Sequence, residues 1–139
     1  MKYNVEIENY DNGNIRNVIN YKDGLKHGEF IEYFLNGRKS IIANFKDGVL
    51  HGDHIDYYDN GKIRWESYYI HNRLSGRATE YYEHSYSDGD LKCILYYMGG
   101  RKNGEQIEYS KNGKIKKVSY FIDDEEIPAE EYGRLLYSR

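Results

Sequence analysis

The chain has 139 residues, with 20 Lys and Arg set against 23 Asp and Glu for a formal net charge of -3 at pH 7. That length suits one domain, and the slight acidity removes any global attraction to nucleic acid or an anionic membrane while favouring a basic partner. Mean hydropathy is -0.93, yet 17 tyrosines bring the aromatic share to 16%, which excludes a disordered composition and assigns much of the core to tyrosine.

From the N-terminus, MKYNVEIENY lacks the apolar run of a secretory signal, and no later stretch approaches the roughly 20 apolar residues of a membrane helix. Cys93 is the single cysteine, so no internal disulfide is expected, and a cytoplasmic setting fits best.

From residue 10 the chain repeats itself. Asn-Gly or Asp-Gly pairs place glycine at Gly13, Gly37, Gly61, Gly89 and Gly113, with spacings of 24, 24, 28 and 24 residues. A second row, Gly28, Gly52, Gly76 and Gly104, registers the same four-residue insertion, which falls within EHSYSDGD at Glu83–Asp90. A third row, Gly24, Gly48 and Gly100, carries Asn72 in the remaining copy. Asn is the next-best residue where the backbone needs a positive φ.

Aromatic rows share this register: Tyr21, Phe45, Tyr69, Tyr97 and Phe121, then Tyr33, Tyr57, Tyr81 and Tyr109. Ile15, Ile63, Leu91 and Ile115 form an aliphatic row that Lys39 interrupts. Stretches such as IRWESYY and KIKKVSYF alternate apolar and polar residues, the signature of half-buried strands. The expected fold is all-β, an elongated meander of antiparallel hairpins built from four to five stacked repeats, each hairpin closed by a tight Asn-Gly turn. Copies are expected at about 10–33, 34–57, 58–81, 82–109 and 110–127 of a single domain spanning 1–139.

A different ending follows. After Asp123, Asp124, Glu125 and Glu126, Pro128 opens AEEYGRLLYSR, in which Ala129, Tyr132, Leu135 and Leu136 share a helical face. A short helix over 128–139 is expected to cap the last hairpin, with the acidic run at its positive end.

Candidate chemistry concentrates in the columns. His27 and His51 recur as His-Gly at one turn position, and His51 lies three residues before His54. Zinc needs three or four convergent ligands, whereas Cys93 is alone and His71 and His84 fall in other copies, so turn chemistry is preferred and no metal or other cofactor is expected. No phosphate-cradling loop, nucleophile elbow or repeated Cys/His/Asp set is present, so no catalytic residue is assigned and the protein reads as a non-enzyme.

Glu32, Asp56, Glu80 and Glu108 form an acidic row, reinforced by Glu29, Asp53 and Glu105, a column that Arg77 interrupts. A basic row of Arg16, Arg64, Lys92 and Lys116 stands against it, interrupted by Ser40. Cross-strand charge pairing accounts for both rows, and the functional alternative is an acidic edge that, together with Asp123, Asp124, Glu125 and Glu126, meets a basic protein. The column Asn20, Asn44, Tyr68, Tyr96 and Tyr120 changes from polar to aromatic. Its tyrosines, with Trp65 nearby, are candidates for a partner-binding patch.

The stretch Phe45, then Lys46-Asp47-Gly48-Val49-Leu50-His51-Gly52, then Tyr57-Tyr58-Asp59-Asn60-Gly61 resembles a MORN repeat, and Lys22 to Gly37 matches equally well. The resemblance covers about residues 10 to 124. Small bacterial chains of this variant resemble the YwqK-like antitoxin and immunity family, which implies neutralising a toxin, a nuclease foremost, by direct binding. A virus-encoded inhibitor of a host nuclease would use the same physics. MORN repeats also occur in membrane-associated scaffolds, but such attachment needs a basic patch and here the basic row is matched by acids. Direct nucleic-acid or glycan binding through the tyrosines is disfavoured by the absence of a basic track. Open terminal strands leave self-association undetermined.

Overall fold

The computed structural model describes residues 1–84 and 90–138, so Gly89 and most of the insertion at Glu83–Asp90 lie outside the described residues. Two compact units divide the chain, Met1–Arg73 and Leu74–Arg139.

The first unit holds β1 (Tyr3–Asn9), β2 (Ile15–Lys22), β3 (Leu25–Tyr33), β4 (Lys39–Lys46), β5 (Val49–Leu50), β6 (Gly52–Tyr57) and β7 (Ile63–Ile70). These run antiparallel in the order β1-β2-β3-β4-β6-β7, with β5 on β4. The two-residue strand β8 (Arg73–Leu74) falls at the junction. In the second unit are β9 (Gly76–Tyr81), β10 (Leu91–Met98), β11 (Arg101–Lys102), β12 (Gly104–Tyr109), β13 (Ile115–Ile122), β14 (Glu125–Ile127) and α1 (Ala129–Tyr137). Its order is β9-β10-β12-β13-β14, with β11 on β10. The all-β hairpin architecture with a short C-terminal helix is the one expected.

A strand precedes the expected first copy. Tyr3–Asn9 pairs along β2 from Tyr3 opposite Lys22 to Asn9 opposite Ile15. The alternation of Val5 and Ile7 with Asn4, Glu6 and Glu8 carries that signal.

Two turn types alternate, and they are distributed differently from the expectation. The Asn-Gly turns are three-residue loops: Gly13 N–H donates to Tyr10 O at 2.9 Å and Tyr10 N–H to Asn14 O at 2.8 Å. Only the glycine takes a positive φ, as at Gly13 (88°) and Gly37 (89°), while the Asn side chain accepts the N–H two residues on, at 3.0 Å from Asn14 to Asn12. This is a type I turn followed by a left-handed glycine. The two-residue mirror-image turns lie at the other end of each hairpin, where both residues have positive φ: Asp47 (48°) and Gly48 (90°), His71 (46°) and Asn72 (66°), Asp123 (48°) and Asp124 (70°).

Those mirror-image turns bind each hairpin to the preceding one. Gly48 N–H donates to Lys26 O at 2.8 Å, Asn72 N–H to Leu50 O at 2.9 Å, Gly100 N–H to Leu74 O at 2.9 Å and Asp124 N–H to Lys102 O at 3.0 Å. Asn72 and Asp124 add a second bond, accepting Leu50 N–H and Lys102 N–H, each at 2.7 Å, on their side-chain oxygens. Positive φ at Asn72 is as expected, and the side chain also satisfies a backbone donor there.

Among the described residues the buried hydrophobics are Ile19, Ala43, Ala78, Cys93, Ile94 and Leu95, and no large side chain is fully buried. The tyrosine rows therefore flank the core instead of forming it. In one column, Ile19, Ala43, Ser67, Leu95 and Ser119 are all at most 7% exposed. Within each unit these small or aliphatic side chains pack where a ring would stand proud of the sheet.

Asn72→Gly keeps the left-handed backbone but loses the 2.7 Å bond, whereas Asn72→Ala loses both. The urea midpoint falls in the order wild type, Gly, Ala, with the unfolding free energy of Ala lower than that of Gly by about 1 kcal/mol or more. Equal midpoints for the two variants would contradict this role of the turn.

Candidate functional site

Antiparallel pairing sets side chains directly opposite each other on one face, and successive residues alternate faces. In the first unit the register produces one continuous row across the strands: Glu8, Asn17, Glu32, Ile41, Asp56, Trp65. In the second, Glu80, Cys93, Glu108 and Lys117 are paired in the same way. The predicted acidic residues are thus brought into line within each unit, but as half-buried members of a mixed row and not as an exposed edge.

Most of these carboxylates already have partners. Glu8 Oε2 accepts from Arg16 Nη2 at 2.9 Å and Asn17 Nδ2 at 3.1 Å. Glu32 Oε2 accepts from Ser40 Oγ at 3.0 Å, where the basic row is interrupted. Glu80 Oε1 lies 3.3 Å from Lys92 Nζ. Cross-strand charge pairing is therefore real at Arg16 and Lys92. Asp56 differs: it lies beside the His54 imidazole, with Nδ1 3.6 Å from Oδ2, and both side chains are less than one-fifth exposed.

The aromatic candidates do not form one patch. Trp65 stands opposite Asp56, whereas Tyr68 stands opposite Asp53, so the two rings occupy opposite faces of β7. The two-residue period of a strand separates positions three apart, and this corrects the grouping of Trp65 with the tyrosine column. Tyr68 and Tyr96 are exposed, at 41% and 37%. In the second unit Tyr120 is half-buried, its ring 4.9 Å from that of Tyr132 on α1.

That stack is the cap expected of the helix, but it engages only part of the expected apolar face. Leu135 and Leu136 remain 39% and 50% exposed, and α1 buries no residue completely. Nor does the acidic run sit at the helix start. Asp123 and Asp124 are the mirror-image turn, Glu125 and Glu126 belong to β14, and the first-turn acids are Glu130 and Glu131. Asp124, with its backbone N–H and side chain both engaged, is a structural residue.

The asparagines of the column have a local task. Asn20 and Asn44 donate to Glu29 O at 2.7 Å and Asp53 O at 3.0 Å, leaning over Gly28 and Gly52, whose φ values are 92° and 118°. A Cβ on Gly52 would lie 3.1 Å from Asn44 Cβ, so that glycine is required by both the backbone and the close approach.

Sequence reasoning missed Ser67 and Tyr69 as site residues and considered His54 only as a metal ligand. On the Trp65 face His54 stands opposite Ser67, and its ring lies 5.5 Å from that of Tyr69. His54 and Ser67 follow Ile19, Phe30 and Ala43 along one row, and that switch from apolar to polar was the available signal. Ser67 Oγ and His54 Nδ1 are buried and have no hydrogen-bond partner. Burial, and then the Asp56 charge, pushes the Tyr69 phenol pKa up. Burial, followed by Glu108 and Glu80, does the same to the Cys93 thiol.

Among the described residues no three metal-ligating side chains converge. His27 serves a turn, its Nδ1 accepting Asp47 N–H at 3.2 Å. Among the described residues no helix is long and apolar enough to cross a membrane.

A family model described as MORN repeat variant matches four stretches of the chain, residues 2–23, 26–47, 50–71 and 102–123. The match starts with β1, and it omits the copy that contains the insertion. No curated protein matches the chain significantly.

The hydrogen bond from Arg16, then that from Asn17, holds the Glu8 carboxyl below the usual glutamate range. The stabilisation from this pair is present above the ordinary glutamate pKa and is lost as pH falls through the lowered folded value. In Arg16→Gln, the Glu8 midpoint followed by carboxyl carbon NMR should move up toward the ordinary value. An unmoved midpoint would remove Arg16 as the cause.

Proposed function

The chain belongs to the MORN repeat variant family, a binding-type repeat module and not a known enzyme family, and from that premise we propose that it is a cytoplasmic, non-enzymatic inhibitor. In this reading it acts as an antitoxin or immunity protein that neutralises a basic protein, such as a nuclease, by covering its cationic surface. The observation that carries the reading is the row Glu32, Ile41, Asp56, Trp65, which combines carboxylates, an aliphatic side chain and the chain's only indole on one face. Interface hot spots favour such an aromatic anchor, and aligned carboxylates steer a cationic partner toward it.

A row of carboxylates across paired strands also resembles a phosphate track in charge, which is the property a nuclease surface recognises. Binding of this type weakens with salt, because the Debye length is only about 8 Å at physiological ionic strength.

The test is affinity capture from nuclease-treated native lysate at low and moderate salt, using wild type and the triple variant Glu32→Gln, Asp56→Asn, Glu80→Gln. The expected outcome is one stoichiometric basic protein, diminished by salt and bound at least about tenfold more weakly by the variant. Equal affinity for the variant, or recovery of lipid-associated proteins instead, would overturn the reading.

A further inference from the structure

In the first unit, Asp56, Trp65, His54 and Ser67 form a two-by-two patch on one face, with Asp56 opposite Trp65 and His54 opposite Ser67. Its chemistry departs from the rest of the row. Glu8 has a guanidinium and an amide, and Glu32 has a hydroxyl, within hydrogen-bond distance. The Asp56 side chain is only 17% exposed, and the His54 imidazole nitrogen beside it is 3.6 Å away, too far for a good hydrogen bond. A half-buried carboxylate without a donor loses hydration that a bound cation would replace.

Beside it Ser67 is 7% exposed, and its hydroxyl has no partner. Its oxygen is closed to solvent, so Ser67 forms the floor of the patch and is not a contact for an outside donor. The third component is a flat, half-buried indole directly across from the carboxylate.

We propose that this patch is the anchor site for one arginine side chain of the protein partner. The guanidinium donates in a fork to Asp56, and its plane stacks on Trp65. Arginine fits better than lysine because its donors are fixed in a plane that suits both the carboxylate and an aromatic face. The assignment rests on the protein-binding reading above and narrows it to one contact.

The experiment titrates the intact protein with acetylated, amidated Gly-Arg-Gly, and in parallel with the Gly-Lys-Gly and Gly-citrulline-Gly counterparts. The indole N–H signal of Trp65, the only tryptophan, is followed by NMR. The arginine peptide is expected to shift that signal saturably. The citrulline peptide, matched in shape but uncharged, is expected to bind roughly tenfold more weakly or worse, and the lysine peptide should fall between them. Asp56→Asn should abolish the arginine preference.

No saturable shift, or an equal response to arginine and citrulline, overturns the anchor without requiring any variant to fold. A partner captured in the preceding experiment and bound equally by the single variant Asp56→Asn would also overturn it while leaving the binding reading in place.

Discussion

The hydrogen bond from each mirror-image turn to the preceding hairpin is the constraint on which both units depend. Gly48 N–H reaching Lys26 O in the first unit, and Asp124 N–H reaching Lys102 O in the second, join successive copies, and at Asp124 the side chain adds a second bond. Such a bond requires two consecutive residues with positive φ, which restricts those positions to Gly, Asn and Asp, with His tolerated at His71. Once the turn is set, the strand register is set with it. A one-residue slip would send the Asp56 and Trp65 side chains to opposite faces.

Because a single sheet buries little, its centre is lined by small or aliphatic side chains and its flanks by rings. Ala43 and Ser67 leave room over the sheet, and Tyr21, Phe45 and Tyr69 cover it from the side. Lys26 lies over the rings of Phe30 and Phe45 at 5.5 and 5.2 Å, so even the cations contribute packing. Function has to be built from substitutions in this frame. His54 and Ser67 appear where Phe30 and Ala43 stand in the copy before, trading apolar packing for polar groups that nothing in the unit satisfies.

The repeat was legible in sequence because its glycines answer a backbone requirement that no other residue meets as well. Turn type was less legible, since Asn-Gly serves equally as a two-residue turn and as the end of a three-residue loop. β1 escaped notice because it lacks a preceding glycine and because Val5 takes the place held by Glu29 and Asp53 in later copies. The acidic row was found as a column, but its burial was not, because burial depends on the neighbouring strands. The grouping of Trp65 with Tyr68 failed for a simpler reason: closeness along a strand is not closeness on a face. Ser67, an unremarkable residue in a strand of mixed polarity, acquires meaning only opposite His54.

Binding by this face depends on the indole of Trp65 standing opposite the Asp56 carboxylate, which no lysine or arginine of the first unit's described ion pairs neutralises. Quenching of Trp65 fluorescence by caesium and by iodide, each relative to a free tryptophan amide, tests this directly. Relatively stronger quenching by caesium than by iodide is expected, with the difference shrinking in Asp56→Asn. Iodide quenching as effective as caesium, or a preference unchanged by Asp56→Asn, would mean that the carboxylate does not govern this face.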